Sequence, residues 1–217
     1  MSAHRTLVKI CGLCSAEDAL AAAAAGADAV GVVLAESPRR VGLDEAARIL
    51  AHVPPSVARV GVFVDADPDE IRRAIEVLGL KTVQLHGSES PQLCGSLPAR
   101  VIKAFRVGPG FDAAAVEPYR PYVAAVLLDG YAPGAAGGTG RTFDWDVARA
   151  VHDPALVLAG GLTPDNVAEA VRRVRPYVVD TSSGVESAPR VKDHARIRAF
   201  VAAVREADRT IDEETPR

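Results

Sequence analysis

The sequence is short of cysteine, short of aromatic side chains and without a dominant charge, and each shortage excludes something. Its three cysteines, Cys11, Cys14 and Cys94, are too few and odd in number for a disulfide framework, so a reducing, cytoplasmic setting is expected. Lysine and arginine total 25 against 28 acidic residues, and a net charge of −3 offers nucleic acid no cationic field. No stretch approaches the roughly 18 uncharged apolar residues of a membrane span. Met1-Ser2-Ala3-His4-Arg5 leads into a short apolar run without a cleavage-like site, so no secretory leader is expected. What is there is a chain of 217 residues, 48% hydrophobic, which can bury a sizeable core as one domain and is not disordered over most of its length.

Short β-branched apolar runs recur at Thr6 to Ile10, Ala29 to Val33, Arg59 to Val64, Thr82 to Leu85, Val101 to Ala104, Ala125 to Leu128, Val157 to Ala159 and Val178 to Thr181. Each is almost continuously apolar, the pattern of a strand covered on both faces of a parallel sheet. Helices with readable caps lie between them. One follows Ser15 and stops at Gly26, a second opens at Asp67-Pro68-Asp69-Glu70 and stops at Gly79, and a third opens at Thr163-Pro164. Weaker helices follow Gly42, Glu89-Ser90-Pro91, Phe111 and Phe143-Asp144, and a last one runs from Asp193 to about Ala207. About 27 residues per unit accommodate one strand, one helix and two short loops. A doubly wound open sheet would usually have fewer strands and a glycine-rich first turn, whereas here the glycine loops come late. A single compact (β/α)8 barrel over residues 1–217 is therefore favoured, with a charged, frayed tail over about 206–217.

In such a barrel the active face lies at the carboxyl ends of the strands. Gly137-Gly138-Thr139-Gly140, Ala159-Gly160-Gly161-Leu162 and Ser182-Ser183-Gly184 follow strands six, seven and eight, where exposed amides and hydroxyls cradle phosphate. They predict a phosphorylated small-molecule ligand, although any one loop could simply be a tight turn. Cys11 ends strand one beside Lys9 on the same face, and a helix N-terminus together with that cation would favour its thiolate. An inert buried cysteine is the plain alternative. Asp129 ends strand six, where desolvation can raise a carboxyl's pKa and fit it to act as an acid. His86 reads as a strand-end histidine satisfied by backbone or a neighbouring carboxylate, and Asp180 as the partner of Lys9 in a buried ion pair. Arg39 and Arg40 are either surface charges or, for one of them, a clamp for a substrate carboxylate. Cys11-Gly12-Leu13-Cys14 also spells a redox C-x-x-C, but a thioredoxin-like unit leaves the strand count and late phosphate loops unexplained. A zinc site would need ligands that His86 and Cys94 do not supply with paired spacing.

Taken in order, these residues resemble the phosphoribosylanthranilate isomerases of tryptophan biosynthesis. The carriers are Val8-Lys9-Ile10-Cys11-Gly12, Gly26 to Gly31, Ser37-Pro38-Arg39, Val60 to Phe63, Val83 to Gly87, Leu127-Leu128-Asp129, Gly137 to Gly140 with Phe143-Asp144-Trp145, Leu158 to Leu162, and Ser182 to Glu186, over roughly residues 7–204. The resemblance implies a barrel without metal or cofactor, acting as monomer or homodimer, that performs an Amadori rearrangement of N-(5-phosphoribosyl)anthranilate. It implies Cys11 as general base and Asp129 as general acid. Arg39 would hold the anthranilate carboxylate, and Gly138, Thr139, Gly140, Gly160, Gly161, Ser182, Ser183 and Gly184 the phosphate, with Lys9, His86 and Asp180 in support. Arg40, Val33-Leu34 and Cys14 depart from the family's usual residues and bear on ring packing and substrate breadth. A related histidine-pathway isomerase uses aspartates for both roles, and Cys11 argues against that substrate. A barrel that binds phosphate without turnover is the non-enzymatic alternative, against which the presence of both Cys11 and Asp129 weighs.

Overall fold

The computed structural model describes residues 5–130, 144–151 and 153–214. Eight parallel strands, β1 (Leu7–Ile10), β2 (Ala29–Val33), β3 (Ala58–Phe63), β4 (Thr82–Leu85), β5 (Arg100–Val107), β6 (Ala125–Gly130), β7 (Val157–Leu158) and β8 (Val178–Thr181), pair in chain order, and β8 closes on β1. All eight apolar runs are strands, within a few residues at their ends. The barrel rather than the open sheet forms because β1 and β8 both bury their faces and pair across four registered residues, among them Lys9 with Asp180.

Alternation along each strand divides the apolar residues between two cores. Val8, Ile10, Val30, Val32, Leu85, Leu128 and Val179 belong to the larger cluster, together with helix residues such as Ala19, Ile71, Val171 and Phe200. Ala104, Leu127, Val157 and Ala159 form a smaller cluster inside the barrel. The residues that share the inner face with that cluster further along the strands are polar, and this sequence of layers puts chemistry at the carboxyl end.

Among the described residues seven α-helices surround the strands: α1 (Ala16–Ala24), α2 (Leu43–Ala51), α3 (Pro68–Leu78), α4 (Pro91–Ser96), α5 (Trp145–Ala150), α6 (Val167–Val174) and α7 (His194–Glu214). Ser15 caps α1 by accepting from Asp18 N, and Asp67 caps α3, which Gly79 ends in the left-handed conformation. Three expectations need correction. After Phe111 the chain forms a 3₁₀ helix, Ala113–Tyr119, because Pro118 sits inside it and cannot donate to an α-helical ladder. The segment opened by Thr163-Pro164 becomes α-helical only at Val167. Asn166 accepts from Thr163 N and donates to Gly161 O, which holds residues 164–166 in a turn. Finally, α7 runs on to Glu214 where a frayed tail was expected from about residue 206. Asp208 is buried and accepts from both the amide and the hydroxyl of Thr6, and Arg205 donates to Thr6 O and Asp28, so the end of the chain is tied to the start of β1. Among the described residues no helix is long and apolar enough to cross a membrane.

One feature has no counterpart in the sequence reading. After β8 a short 3₁₀ turn, Ser183–Val185, leads into an antiparallel hairpin of β9 (Glu186–Ala188) and β10 (Val191–Lys192). This hairpin sits beside the carboxyl end of the barrel and reaches the loop after β2, because Arg190 donates to Pro38 O and Arg40 O.

Candidate active site

Cys11 leaves β1 with its amide donating to Thr181 O at 2.8 Å, so its position is fixed by the closure of the barrel. Its thiol is buried. The space it occupies exists because β2 carries Gly31 at the facing position: a Cβ there would lie 2.9 Å from Cys11 Sγ. Lys9, one pleat below, is 1% exposed and donates to Asp180 Oδ2 at 2.7 Å, the buried pair expected from strand alternation. Burial draws the Lys9 ammonium down, but Asp180 and Cys11 outweigh it and keep the amine protonated. The thiol departs from expectation. Burial pushes Cys11 up, and the opposing pull of Lys9 does not overcome it, so the resting group is a thiol rather than a thiolate. The helix that was to assist starts at Ala16, after an intervening turn and the cap Ser15.

Asp129 is the next-to-last residue of β6 and remains partly exposed, its side chain 27% accessible. His86, leaving β4, places Nε2 3.2 Å from Asp129 Oδ2, while Gln84 Nε2 lies 3.1 Å from His86 Nδ1. A side-chain amide nitrogen can only donate, so Nδ1 is the acceptor for Gln84 and Nε2 is the nitrogen that faces Asp129. The neighbouring carboxylate expected for His86 is therefore Asp129 itself.

Of the glycine loops expected to hold phosphate, those after β7 and β8 are described; Gly137, Gly138, Thr139, Gly140 and Phe143 lie outside the described residues. Gly160 and Gly161 both have positive φ, +85° and +66°, and a Cβ at Gly160 would lie 2.0 Å from Gly130 N and 2.9 Å from Asp129 Oδ1. No other residue fits there. Among the described residues nothing accepts from the amides of Gly160 or Gly161, and Ser182, Ser183 and Gly184 form the start of the 3₁₀ turn beside them. Barrels that bind phosphate commonly do so at this corner, between the loops after the seventh and eighth strands and the N-terminus of a short extra helix.

Arg39 and Arg40 part company. Arg40 is exposed and pairs with Glu36. Arg39 is buried, its Nε and Nη2 donating to the two oxygens of Glu186 at 2.7 and 2.6 Å. Glu186 also accepts from Lys192, which is itself buried and donates to Ser182 O. Glu186 was visible only as the end of the Ser182-to-Glu186 string, and Lys192 carried no sequence signal. Cys14 is turned toward the carbonyls of Gly12 and Arg39, each 3.7 Å from its sulfur.

The profile of the protein family described as N-(5'-phosphoribosyl)anthranilate (PRA) isomerase matches residues 8–203. The chain belongs to this family. Among curated relatives, the N-(5'-phosphoribosyl)anthranilate isomerase of Geobacter sp. (strain M21) is 53% identical over 199 residues, spanning 91% of this chain and 97% of the relative. The Geobacter sulfurreducens isomerase is 54% identical over 197 residues, spanning 89% and 96%. The crystal structure of the Thermotoga maritima isomerase superposes with a TM-score of 0.86 at 42% identity, covering 93% of this chain and 99% of that one. A further isomerase structure, solved with reduced 1-(o-carboxyphenylamino)-1-deoxyribulose 5-phosphate, gives a TM-score of 0.82 at 40% identity, covering 93% and 99%. A 3-hexulose-6-phosphate synthase, 17% identical with a TM-score of 0.66, shares the fold alone.

Proposed function

We propose that Cys11 and Asp129 are the base and acid of the aldose–ketose isomerisation that converts N-(5'-phosphoribosyl)anthranilate to 1-(2-carboxyphenylamino)-1-deoxyribulose 5-phosphate in tryptophan biosynthesis. The observation that carries this reading is the order of groups around the barrel mouth. Asp129 on β6 and Cys11 on β1 are separated by β7 and β8, whose loops form the amide nest. A phosphate held in that nest anchors a sugar between the two. The molecule bound in the solved relative carries one carboxylate and one phosphate, and Arg39 and the nest are a matching pair of receptors.

Asp129 donates its proton to the furanose oxygen as the C1–O bond breaks, and the anilino nitrogen's lone pair completes the imine. Cys11, once it has lost its own proton to solvent, removes the proton from C2 as a thiolate, and the resulting enolamine gains a proton at C1 as the C2 hydroxyl becomes the ketone. The His86 ring, anchored by Gln84, holds the Asp129 carboxyl. Because the free thiol is pushed up by burial, Lys9 at its side is the group that makes deprotonation affordable, stabilising the thiolate as it forms. Arg39 holds the anthranilate carboxylate, and Gly160, Gly161, Ser182, Ser183 and Gly184, with Gly138, Thr139 and Gly140, the phosphate. The reaction needs neither metal nor cofactor, and we place the enzyme in the cytoplasm as a monomer or homodimer.

The test is the loss of substrate fluorescence on mixing with purified protein. Cys11→Ala and Asp129→Asn should each lower kcat by about 10² to 10⁴, the usual contribution of a general acid or base, with KM little changed. Two folded variants turning over at near wild-type rates would overturn the assignment.

A further inference from the structure

The hairpin β9–β10 does more than extend the chain past the last strand. It carries Glu186 and Lys192, and these two residues connect the loop after β2 with the loop after β8. Glu186 accepts a two-bond fork from Arg39 with one oxygen for each nitrogen, at 2.7 and 2.6 Å. Lys192 donates to Glu186 Oε1 at 2.9 Å and to Ser182 O at 2.9 Å. All three charged side chains are buried. The carboxyl of Glu186 is pushed up by burial and pulled down further by Arg39 and Lys192, so it stays ionised below its ordinary range.

Three observations place this unit against the substrate pocket. Among the described residues, Arg39 Nη1 has no partner, so the fork leaves one edge of the guanidinium available. Gly12, the residue after Cys11, is where the arm and the phosphate loop meet: a Cβ there would lie 2.6 Å from Arg39 Cδ and 2.8 Å from Ser182 Oγ. Arg190, on the turn of the same hairpin, clamps the backbone on either side of Arg39 through Pro38 O and Arg40 O. An arginine on a loop would ordinarily have to give up side-chain freedom to grip a carboxylate. Here both its backbone and its guanidinium plane are set beforehand.

We propose that Glu186 is a positioning residue that fixes the Arg39 guanidinium for the substrate's carboxylate and, through Lys192, ties that arm to the phosphate loop at Ser182. The proposal rests on the reading that Arg39 receives the anthranilate carboxylate. The two ends of the substrate are then held by one hydrogen-bonded unit at a set separation, which makes the hairpin a ruler for substrates that carry both groups.

Steady-state kinetics of Glu186→Gln, Arg39→Ala and the double variant on the natural substrate, and on its aniline counterpart lacking the carboxylate, test this. Glu186→Gln should raise KM about tenfold with kcat changed less than about threefold. It should have no such effect on the aniline counterpart, and none when added to Arg39→Ala. Glu186→Gln kinetics equal to wild type, or equal losses on both compounds, would overturn the proposal. Failure of the underlying reading looks different: Arg39→Ala, with Glu186 intact, would then weaken both compounds alike. Should Glu186→Gln not fold, Glu186→Asp, which keeps the charge and the Lys192–Ser182 tie but draws the carboxylate back from the guanidinium, carries the same comparison.

Discussion

Lys103 and Lys9 are both almost wholly buried, both belong to barrel strands, and both face a carboxylate, yet their surroundings differ. Lys103 donates to Glu89 and lies within hydrogen-bond distance of the carbonyls of Leu85, Gly87 and Ala104. Glu89 in turn accepts from the amides of Asp65 and Gly87, so the pair braces the rim formed by β3, β4 and β5. Lys9 and Asp180 are less completely served. Asp180 Oδ1 is buried with no partner among the described residues, as is Gln84 Oε1 on the same inner face. A buried charge with unmet hydrogen-bonding capacity is costly, and such cost is tolerated where a site must act on something else. The first pair builds the barrel, and the second is poised beside the thiol.

The largest expected effect follows from the saturated pair. Lys103→Met leaves Glu89 buried without its cation, and removing one partner of a buried pair costs about 3–5 kcal/mol. Urea denaturation should register that loss, while the kcat of the remaining folded protein stays within a few-fold of wild type. A variant of unchanged stability, or one that stays folded and loses turnover, would erase the distinction between the pairs.

The open pair predicts a smaller effect with a definite sign. Lys9 pulls the Cys11 thiol down and Asp180 pushes it up. Lys9→Met should therefore move the basic limb of kcat/KM to higher pH, and Asp180→Asn should move it to lower pH. Shifts in the same direction would show that the limb does not report Cys11. The same thiol links pH to stability. Its folded value lies above that of the unfolded chain, so its contribution is complete below the ordinary thiol range and is lost as pH rises from there through the raised folded value. Wild type should lose stability in that alkaline window relative to Cys11→Ser, as read by thermal melts at several pH values.

The barrel was legible because each strand is a continuous β-branched run, and a strand covered on both faces has no other way to look. Cys11 and Asp129 were legible because the position rule for barrels turns the last residue of such a run into a candidate. The Lys9–Asp180 pair followed from alternation alone. The electrostatics were not readable: the space for the buried thiol depends on Gly31 in the adjacent strand, and that burial outweighs the pull expected from Lys9. Arg39 could be nominated, but not its partner, since Glu186 reaches it from a hairpin 147 positions away in sequence. The C-terminal helix was readable to about Ala207, but not its continuation to Glu214, whose charged residues look frayed until Asp208 is seen meeting Thr6.

The smallest expected effect contrasts two cysteines as the lysines were contrasted. Cys14 has its needs met locally, its thiol turned toward the carbonyls of Gly12 and Arg39, both 3.7 Å away. A serine hydroxyl is a stronger donor of similar shape and can serve the same carbonyls. Cys14→Ser should therefore keep kcat and KM within a few-fold of wild type. Cys11 has Lys9 at its side, and a hydroxyl in its place is far too weakly acidic to ionise, so no anion is there to take the proton from C2. Cys11→Ser should lose turnover on the scale of Cys11→Ala while binding substrate. Comparable losses in the two serine variants would mean that the C-x-x-C pair works as a unit, and the assignment of Cys11 as an independent base would fall with it.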